Sequence, residues 1–421
     1  MNRLLLVACA TMAACQAPAE GPSALAETGP GVAAVPALAV TAAGEALTSS
    51  VVGTGNARRL VVTHADGRRV EVARGAVSDH SQTAPRIAVA PDGAVLVLYA
   101  ADRPAAGRRP PVSDLFLARS ADGGRTFAAP VRVSQAAAPT GHAYADLAVG
   151  PDGGVVVSWL DGGASDRWKA ARPASAPRAS AGHATDEHHA SGSHHAVPVR
   201  LVHAGERHAA PTGGDPGTTL VVARSPDGGR TFAAPVTVAP GTCPCCRTAL
   251  DVGPDGAVRV VWRQVWPGGE RDAAVATSRD GGRTFGAPVR VYADRWAIDG
   301  CPHTGPAVAA GRDGRVHVAW YTGAPRRLGL WHAVSTDGGA TFATPTALAA
   351  GAPLGQVRAA RDGTGAVWLA WEDRSSARVR VARAGSGDTL TVAGVDPALA
   401  GTARGVTLAT VVDGAVRVRS N

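Results

Sequence analysis

Ser120-Ala121-Asp122-Gly123-Gly124-Arg125-Thr126-Phe127 recurs three more times along the chain with few changes. The other copies are Ser225-Pro226-Asp227-Gly228-Gly229-Arg230-Thr231-Phe232, Ser278-Arg279-Asp280-Gly281-Gly282-Arg283-Thr284-Phe285 and Ser335-Thr336-Asp337-Gly338-Gly339-Ala340-Thr341-Phe342. Each follows an apolar run such as Leu115-Phe116-Leu117-Ala118 and precedes another such as Pro130-Val131-Arg132-Val133, which reads as strand, turn, strand. The turn chemistry agrees: Asp accepts backbone N–H bonds within a tight turn, and the two glycines permit positive φ. Thr can brace the turn while Phe enters the core.

A second unit lies between alternating strands. It appears as Ala90-Pro91-Asp92-Gly93, Gly150-Pro151-Asp152-Gly153, Gly253-Pro254-Asp255-Gly256, Gly311-Arg312-Asp313-Gly314 and Ala360-Arg361-Asp362-Gly363. Trp159, Trp262 and Trp320 stand at one offset from their Asp, Tyr99 takes that place in the first copy, and Trp371 is displaced by the extra Gly363-Thr364. Blades of a β-propeller repeat every ~40–50 residues, and the spacing here is that plus longer connections. The long interval from Asp152 to Asp255 is one blade plus an insertion. Five blades therefore begin near residues 84, 141, 245, 303 and 355. A sixth is assembled from C-terminal strands (Val406–Val411, Ala415–Val418) and N-terminal ones (Leu60–Thr63, Arg69–Ala73). The fold expected is all-β: a six-bladed propeller of four-stranded blades, its ring closed by the two termini so that no sheet edge stays exposed.

The repeated turns resemble the Asp-boxes of the sialidase superfamily, over roughly residues 48 to 421. In that family the boxes lie opposite the active site, which implies a structural role for their Asp residues. The resemblance also implies the parts to seek: an arginine cluster for a substrate carboxylate, a Tyr nucleophile with a Glu partner, and an acid/base Asp. The stretch from Leu98-Tyr99 through Asp102-Arg103 to Ser113-Asp114-Leu115 is similar to the corresponding sialidase segment. Pro85-Arg86-Ile87-Ala88 is superficially similar to the family's Arg-Ile-Pro motif, but Arg86 falls a few residues late and Thr83 occupies the motif's Arg position. The remaining candidates are Tyr321 and Glu372 as nucleophile pair, Asp102 or Asp114 as acid, and Arg247, Arg263 and Arg374 on the ligand face.

The chain of 421 residues is 45% hydrophobic but only 4% aromatic, so small aliphatics must do most of the packing. Its 52 glycines and 30 prolines recur between short apolar runs, which signals turns rather than disorder. The net charge is +8, and Lys169 is the only lysine. The arginines are scattered singly, with no basic run, which argues against a nucleic-acid arm.

Met1-Asn2-Arg3 precedes the apolar stretch Leu4 to Ala14 and then Cys15, a secretory pattern too short to span a membrane. Met12-Ala13-Ala14-Cys15 resembles the bacterial lipobox, in which the Cys is lipidated; Leu6-Val7-Ala8-Cys9 competes but has too little apolar length before it. Four segments follow: a signal peptide (1–14), lipidated Cys15 with a flexible tether (15–45), the propeller (46–421) and a His-rich insertion within it (162–216). Acyl chains would hold the protein at a membrane, in the periplasm or on the outer membrane.

Every cysteine outside the signal region lies in Cys243-Pro244-Cys245-Cys246-Arg247 or Asp299-Gly300-Cys301-Pro302-His303-Thr304. His142, Cys245 and His303 share one offset before Asp152, Asp255 and Asp313, which places them in one register at the channel mouth. An oxidising compartment favours disulfides among Cys243, Cys245, Cys246 and Cys301. The alternative is a copper or zinc site using these cysteines with His303 and His142. His183, His188, His189, His194, His195, His203 and His208 crowd the insertion, a composition able to gather such ions.

These observations imply a cell-envelope binding or scaffold module with a Cys/His metal site on the channel face. The alternatives are an exo-glycosidase of exo-α-sialidase type, and a disulfide-bonded structural propeller. Its partners would be the membrane, through lipid, and a glycan or envelope protein; nucleic acid is not expected, and the chain is expected to be a monomer.

Overall fold

The computed structural model describes residues 36–103, 112–135, 140–163, 217–298, 302–351 and 355–420. The described chain is all-β and built from antiparallel modules in chain order. The first contains β1 (Ala37–Val40), β2 (Ala46–Val52), β3 (Arg59–His64) and β4 (Arg69–Arg74). The second contains β5 (Arg86–Val89), β6 (Val95–Arg103), β7 (Val112–Ser120) and β8 (Val131–Arg132). Next come β9 (His142–Val149), β10 (Val155–Asp161), β11 (Thr218–Ser225) and β12 (Val236–Thr242). The fourth has β13 (Ala249–Val252), β14 (Val258–Trp266), β15 (Glu270–Ser278) and β16 (Val289–Arg290). The fifth has β17 (Ala307–Ala310), β18 (Val316–Thr322), β19 (Gly329–Ser335) and β20 (Thr346–Ala350). The sixth has β21 (Val357–Arg361), β22 (Val367–Asp373), β23 (Arg378–Arg383) and β24 (Leu390–Ala393). β25 (Val395–Gly401), β26 (Val406–Val412) and β27 (Ala415–Ser420) form the last. Each module is a meander of neighbouring strands, and one pair, Thr242 with Gln264, joins the third to the fourth.

Short connections make each meander. Asp92, Asp152, Asp255 and Asp313 each accept an N–H bond two residues on, inside the turn between a module's first and second strands. The repeated Asp turns join third to fourth strands. In the first, Asp122 Oδ1 accepts from Ser120 Oγ (2.6 Å), Arg125 N (3.0 Å) and Thr126 N (2.9 Å), and Oδ2 from Thr126 Oγ1 (2.6 Å). The network repeats at Asp227, Asp280 and Asp337. Gly123 and Gly124 adopt φ of 73° and 86°, the left-handed region that favours glycine. Phe127, Phe232, Phe285 and Phe342 each pack part-buried against a core cluster, as the repeat predicts.

The core lies between modules rather than within one. Leu96, Leu98, Leu115 and Leu117 of the second pack with Val155, Val157 and Trp159 of the third. Val261, Ala273 and Val275 of the fourth pack with Val316, Val318 and Trp320 of the fifth. First strands follow one another in space: β1 packs on β5, β5 on β9, and so on to β25, which packs on β1. Leu38 and Ala46 of the first module share a cluster with Ala398, Ala409, Val416 and Val418 of the last.

Six blades with a shared sixth are therefore replaced by seven modules among the described residues. The strands assigned to the shared blade fall into two groups, β3–β4 and β26–β27, and no ladder joins them. The sequence reading missed β1, β2 and β25, which lack the Asp-Gly turns that mark the middle modules. β1 begins at Ala37, inside the stretch 15–45 assigned to the tether. Cys15, the signal segment and the His-rich insertion from 164 to 216 lie outside the described residues.

Candidate functional site

First strands of all seven modules line one cavity of about 220 Å³. Its wall carries Arg86 and Ile87 of β5, Asp146 of β9, Arg247 and Thr248 before β13, and Arg358 of β21. Short aliphatics make the rest, among them Ala37, Ala249, Ala307, Ala359 and Ala398. Small side chains on the first strands leave the axis open, and three arginines project into that space. A Cβ on Gly305 would stand 2.0 Å from the Arg247 carbonyl, so glycine there is what lets β17's leader pass so close to Arg247.

The arginines are under-compensated. Arg86 Nε donates to Asp146 Oδ1 (3.2 Å), whose Oδ2 accepts from Leu250 N (2.8 Å). Arg358 Nη1 donates only to its neighbour's carbonyl, Val357 O (2.8 Å). Arg247 Nη1 is buried with no hydrogen-bond partner. Loss of water brings the Arg247 guanidinium down to about 9, with further contributions from the charges of Arg358 and Arg86. Loss of water and then the charge of Arg86 bring Arg358 down to about 10. Both stay cationic at neutral pH. A buried donor without an acceptor beside two more guanidiniums suits an incoming carboxylate.

Two carboxyls stand behind this cluster. Glu372 is buried and accepts from Gln356 N (3.1 Å), Arg374 Nε (3.0 Å) and Asp396 N (3.5 Å). Asp396 has φ of 50°, and burial, then the charge of Glu372, push its carboxyl above the usual range.

Other sequence candidates take structural places. Tyr321 belongs to an apolar cluster, its ring edge-on to Trp296 at 5.7 Å, while the Glu372 carboxylate is engaged by Gln356 and Arg374. Asp102 accepts from Arg58 (3.2 Å). Asp114 is paired with Arg103 and with Arg132 (2.8 Å). Arg263 is buried among carbonyls, donating to Arg271 O (2.7 Å) and Tyr321 O (2.9 Å), and stacks over Trp296 at 4.9 Å. Of the proposed catalytic residues only Arg247 lines the axial cavity.

The cysteines do converge. Cys243, Cys245 and Cys246 are all buried, and their sulfurs lie within 4.8 Å of one another. Cys243 Sγ is 3.6 Å from that of Cys245 and 3.5 Å from that of Cys246, so the three are thiols with no sulfur–sulfur bond. Arg271 Nη1 donates to Cys243 Sγ at 3.6 Å. Bonds from Cys245 and Cys246, with Arg271 nearby, hold the Cys243 thiol well below its ordinary value; burial pushes Cys246 up to about 12. His303 is exposed overall with φ of 50°; loss of water around its ring lowers the imidazole, and the charge of Cys243 opposes this. Cys301 lies outside the described residues. His142 stands apart from the sulfur group: its Nδ1 donates to Ser113 O, and its Nε2 is 3.5 Å from Asp161 Oδ2.

The sequence reading did not pick out Arg358, Asp146 or Asp396. The offset it used marks the row holding the cysteines and His142, at the entrance. The cavity-lining residues stand closer to each Asp-Gly turn, where Arg86 and Asp146 share one offset and Arg358 is shifted by the extra Gly363-Thr364.

No protein-family model matches this chain, and no curated protein matches it. Among solved structures it is similar to a protein of unknown function from Dyadobacter fermentans (16% identity, 80% of this chain and 94% of that one, TM-score 0.49). It is also similar to the Hadza microbial sialidase Hz136 (14% identity, 87% and 74%, TM-score 0.49). A third is the Penicillium chrysogenum α-L-arabinanase complexed with arabinobiose (12% identity, 95% and 97%, TM-score 0.45). The solved structures it resembles thus include sialidases and an arabinanase, and none of these likenesses assigns an activity to this chain.

Proposed function

We propose that this chain is a cell-envelope binding module: a seven-bladed β-propeller, lipid-anchored at Cys15, whose axial cavity takes a small carboxylate such as a sugar acid. One observation carries the reading, the meeting of Arg86, Arg247 and Arg358 on a single cavity, with Arg247 Nη1 buried and unpartnered. A carboxylate bound there would accept that hydrogen bond and relieve repulsion among three cations. A cavity of about 220 Å³ is sized for a small acid or one sugar ring rather than a polymer.

Titration calorimetry with N-acetylneuraminate, glucuronate and acetate, against neutral lactose, tests this. Binding of the acids that is lost in Arg247→Met is the expected result. Equal affinity for neutral lactose, or acid binding untouched in that variant, removes the proposal. Anchoring is tested separately: radiolabelled palmitate should enter the wild type in the native host and not Cys15→Ala.

A second reading, glycoside hydrolysis, is favoured by Asp396 lying beside Glu372, because a carboxyl raised by burial and then by a neighbouring charge is suited to act as an acid. Turnover of fluorogenic sialosides or arabinosides that disappears in Asp396→Asn supports it. Absence of turnover leaves the binding role alone.

A further inference from the structure

We propose that Cys243, Cys245 and Cys246 form a three-sulfur site for monovalent copper. The site is distinct from the axial arginines and does not depend on the function proposed for them. With metal–sulfur bonds of about 2.3 Å, sulfurs of one coordination shell stand about 3.8–4.0 Å apart. The two separations of 3.6 and 3.5 Å from Cys243 are close to that, and all three sulfurs already share a sphere of 4.8 Å. An ion at its centre needs only a slight outward movement of the side chains.

The backbone holds this arrangement without the ion. Cys243 N donates to Arg263 O (2.9 Å), tying the segment to β14, and Pro244 confines the turn that brings Cys245 and Cys246 round to face Cys243. The three cysteine residues are 1%, 4% and 1% exposed and pack with Val265, so the site is shielded from solvent.

Ligand type and number choose the metal. Thiolates select soft ions, copper(I) and zinc(II) foremost. The three ligand atoms that gather here among the described residues are all sulfur, a set that suits a soft ion. Copper(I) accepts three. Ligation releases the thiol protons to solvent, and three thiolates with one Cu(I) carry two net negative charges. Arg271, with Nη1 3.6 Å from Cys243, and the buried Arg263 stand beside the site to balance them.

The test uses the full-length protein, reduced and free of metal. Copper(I) is titrated against the chelator bicinchoninate, with zinc in a parallel series, and sulfur coordination is read by X-ray absorption. The expected result is one copper(I) per chain, three sulfur ligands, a raised melting temperature, and at least 100-fold weaker retention in Cys246→Ser. Loss of copper to the chelator at stoichiometric concentration overturns the proposal. So does a four-ligand site that prefers zinc, or a thiol count showing a disulfide within 243–246 in protein isolated from the envelope. Because stoichiometry and coordination are measured on the wild type, a Cys246→Ser variant that fails to fold does not blunt the test.

Discussion

Replacing Arg358 by Met should make the empty protein more stable while weakening its grip on a carboxylate. The Arg358 and Arg247 guanidiniums are brought down from their ordinary value to about 10 and about 9, chiefly by loss of water and then by like charge. Each pH unit corresponds to about 1.4 kcal/mol, so keeping Arg358 charged costs about 3 kcal/mol at most. Solvent at the cavity mouth screens part of this, and the charges of Asp396 and Asp146 act favourably on Arg358. Met keeps the aliphatic stem and its packing. The net gain should be about 1–2 kcal/mol, read as a higher urea midpoint at unchanged slope. Calorimetry with N-acetylneuraminate should show at least tenfold weaker binding, the usual conflict between a strained site and a stable one. A variant less stable by more than about 1 kcal/mol, with undiminished carboxylate affinity, would refute the reasoning about the cluster.

Other outcomes follow from single features. His317 Nδ1 and His332 Nε2 are 3.0 Å apart with the rings stacked, and burial, then the charge of His317, lower His332 to about 4. Burial favours the neutral form of each ring. The unfolded chain binds more protons between pH 6.5 and about 4, so stability is full above that window and falls through it by about 3 kcal/mol; urea midpoints at pH 7 and 4.5, repeated in His332→Phe, should show a smaller loss, the part due to the burial of His317 remaining. Gly305→Ala puts a Cβ 2.0 Å from the Arg247 carbonyl and should cost carboxylate binding, by calorimetry, even where circular dichroism shows the fold retained. Asp227, held down to about 2 with hydroxyl and backbone donors around it, keeps one turn closed; Asp227→Ala should lower the urea-derived stability by about 1–2 kcal/mol. That acidic contribution is present above pH 4 and is lost as the pH falls towards 2. Tyr321→Phe removes a hydroxyl from an apolar cluster and should leave carboxylate binding and any glycosidase turnover unchanged.

Local chemistry was legible because it is local. The four Asp turns, the Asp-Gly turns and the buried Trp159, Trp262 and Trp320 each follow from residues within ten positions of one another, and all stand as read. The cysteines were read as a cluster shared with Cys301 and His303 of the next module; that one short turn gathers Cys243, Cys245 and Cys246 was not read. Nor was their thiol state, because nothing in a spacing says whether two sulfurs approach to bonding distance.

What the chain's sequence determined alone was its repeating unit, an antiparallel meander punctuated by hydrogen-bonded Asp turns. Tertiary structure decided how many units there are and what they enclose. β1, β2 and β25 are strands without such turns, and they are held by packing on neighbours distant in sequence, as Leu38 and Ala46 are by Ala398, Ala409 and Val416. The arginine cluster has the same origin. Arg86, Arg247 and Arg358 belong to three modules, and only the succession of first strands around one axis sets them on a common cavity, where the shared loss of water gives each its chemistry.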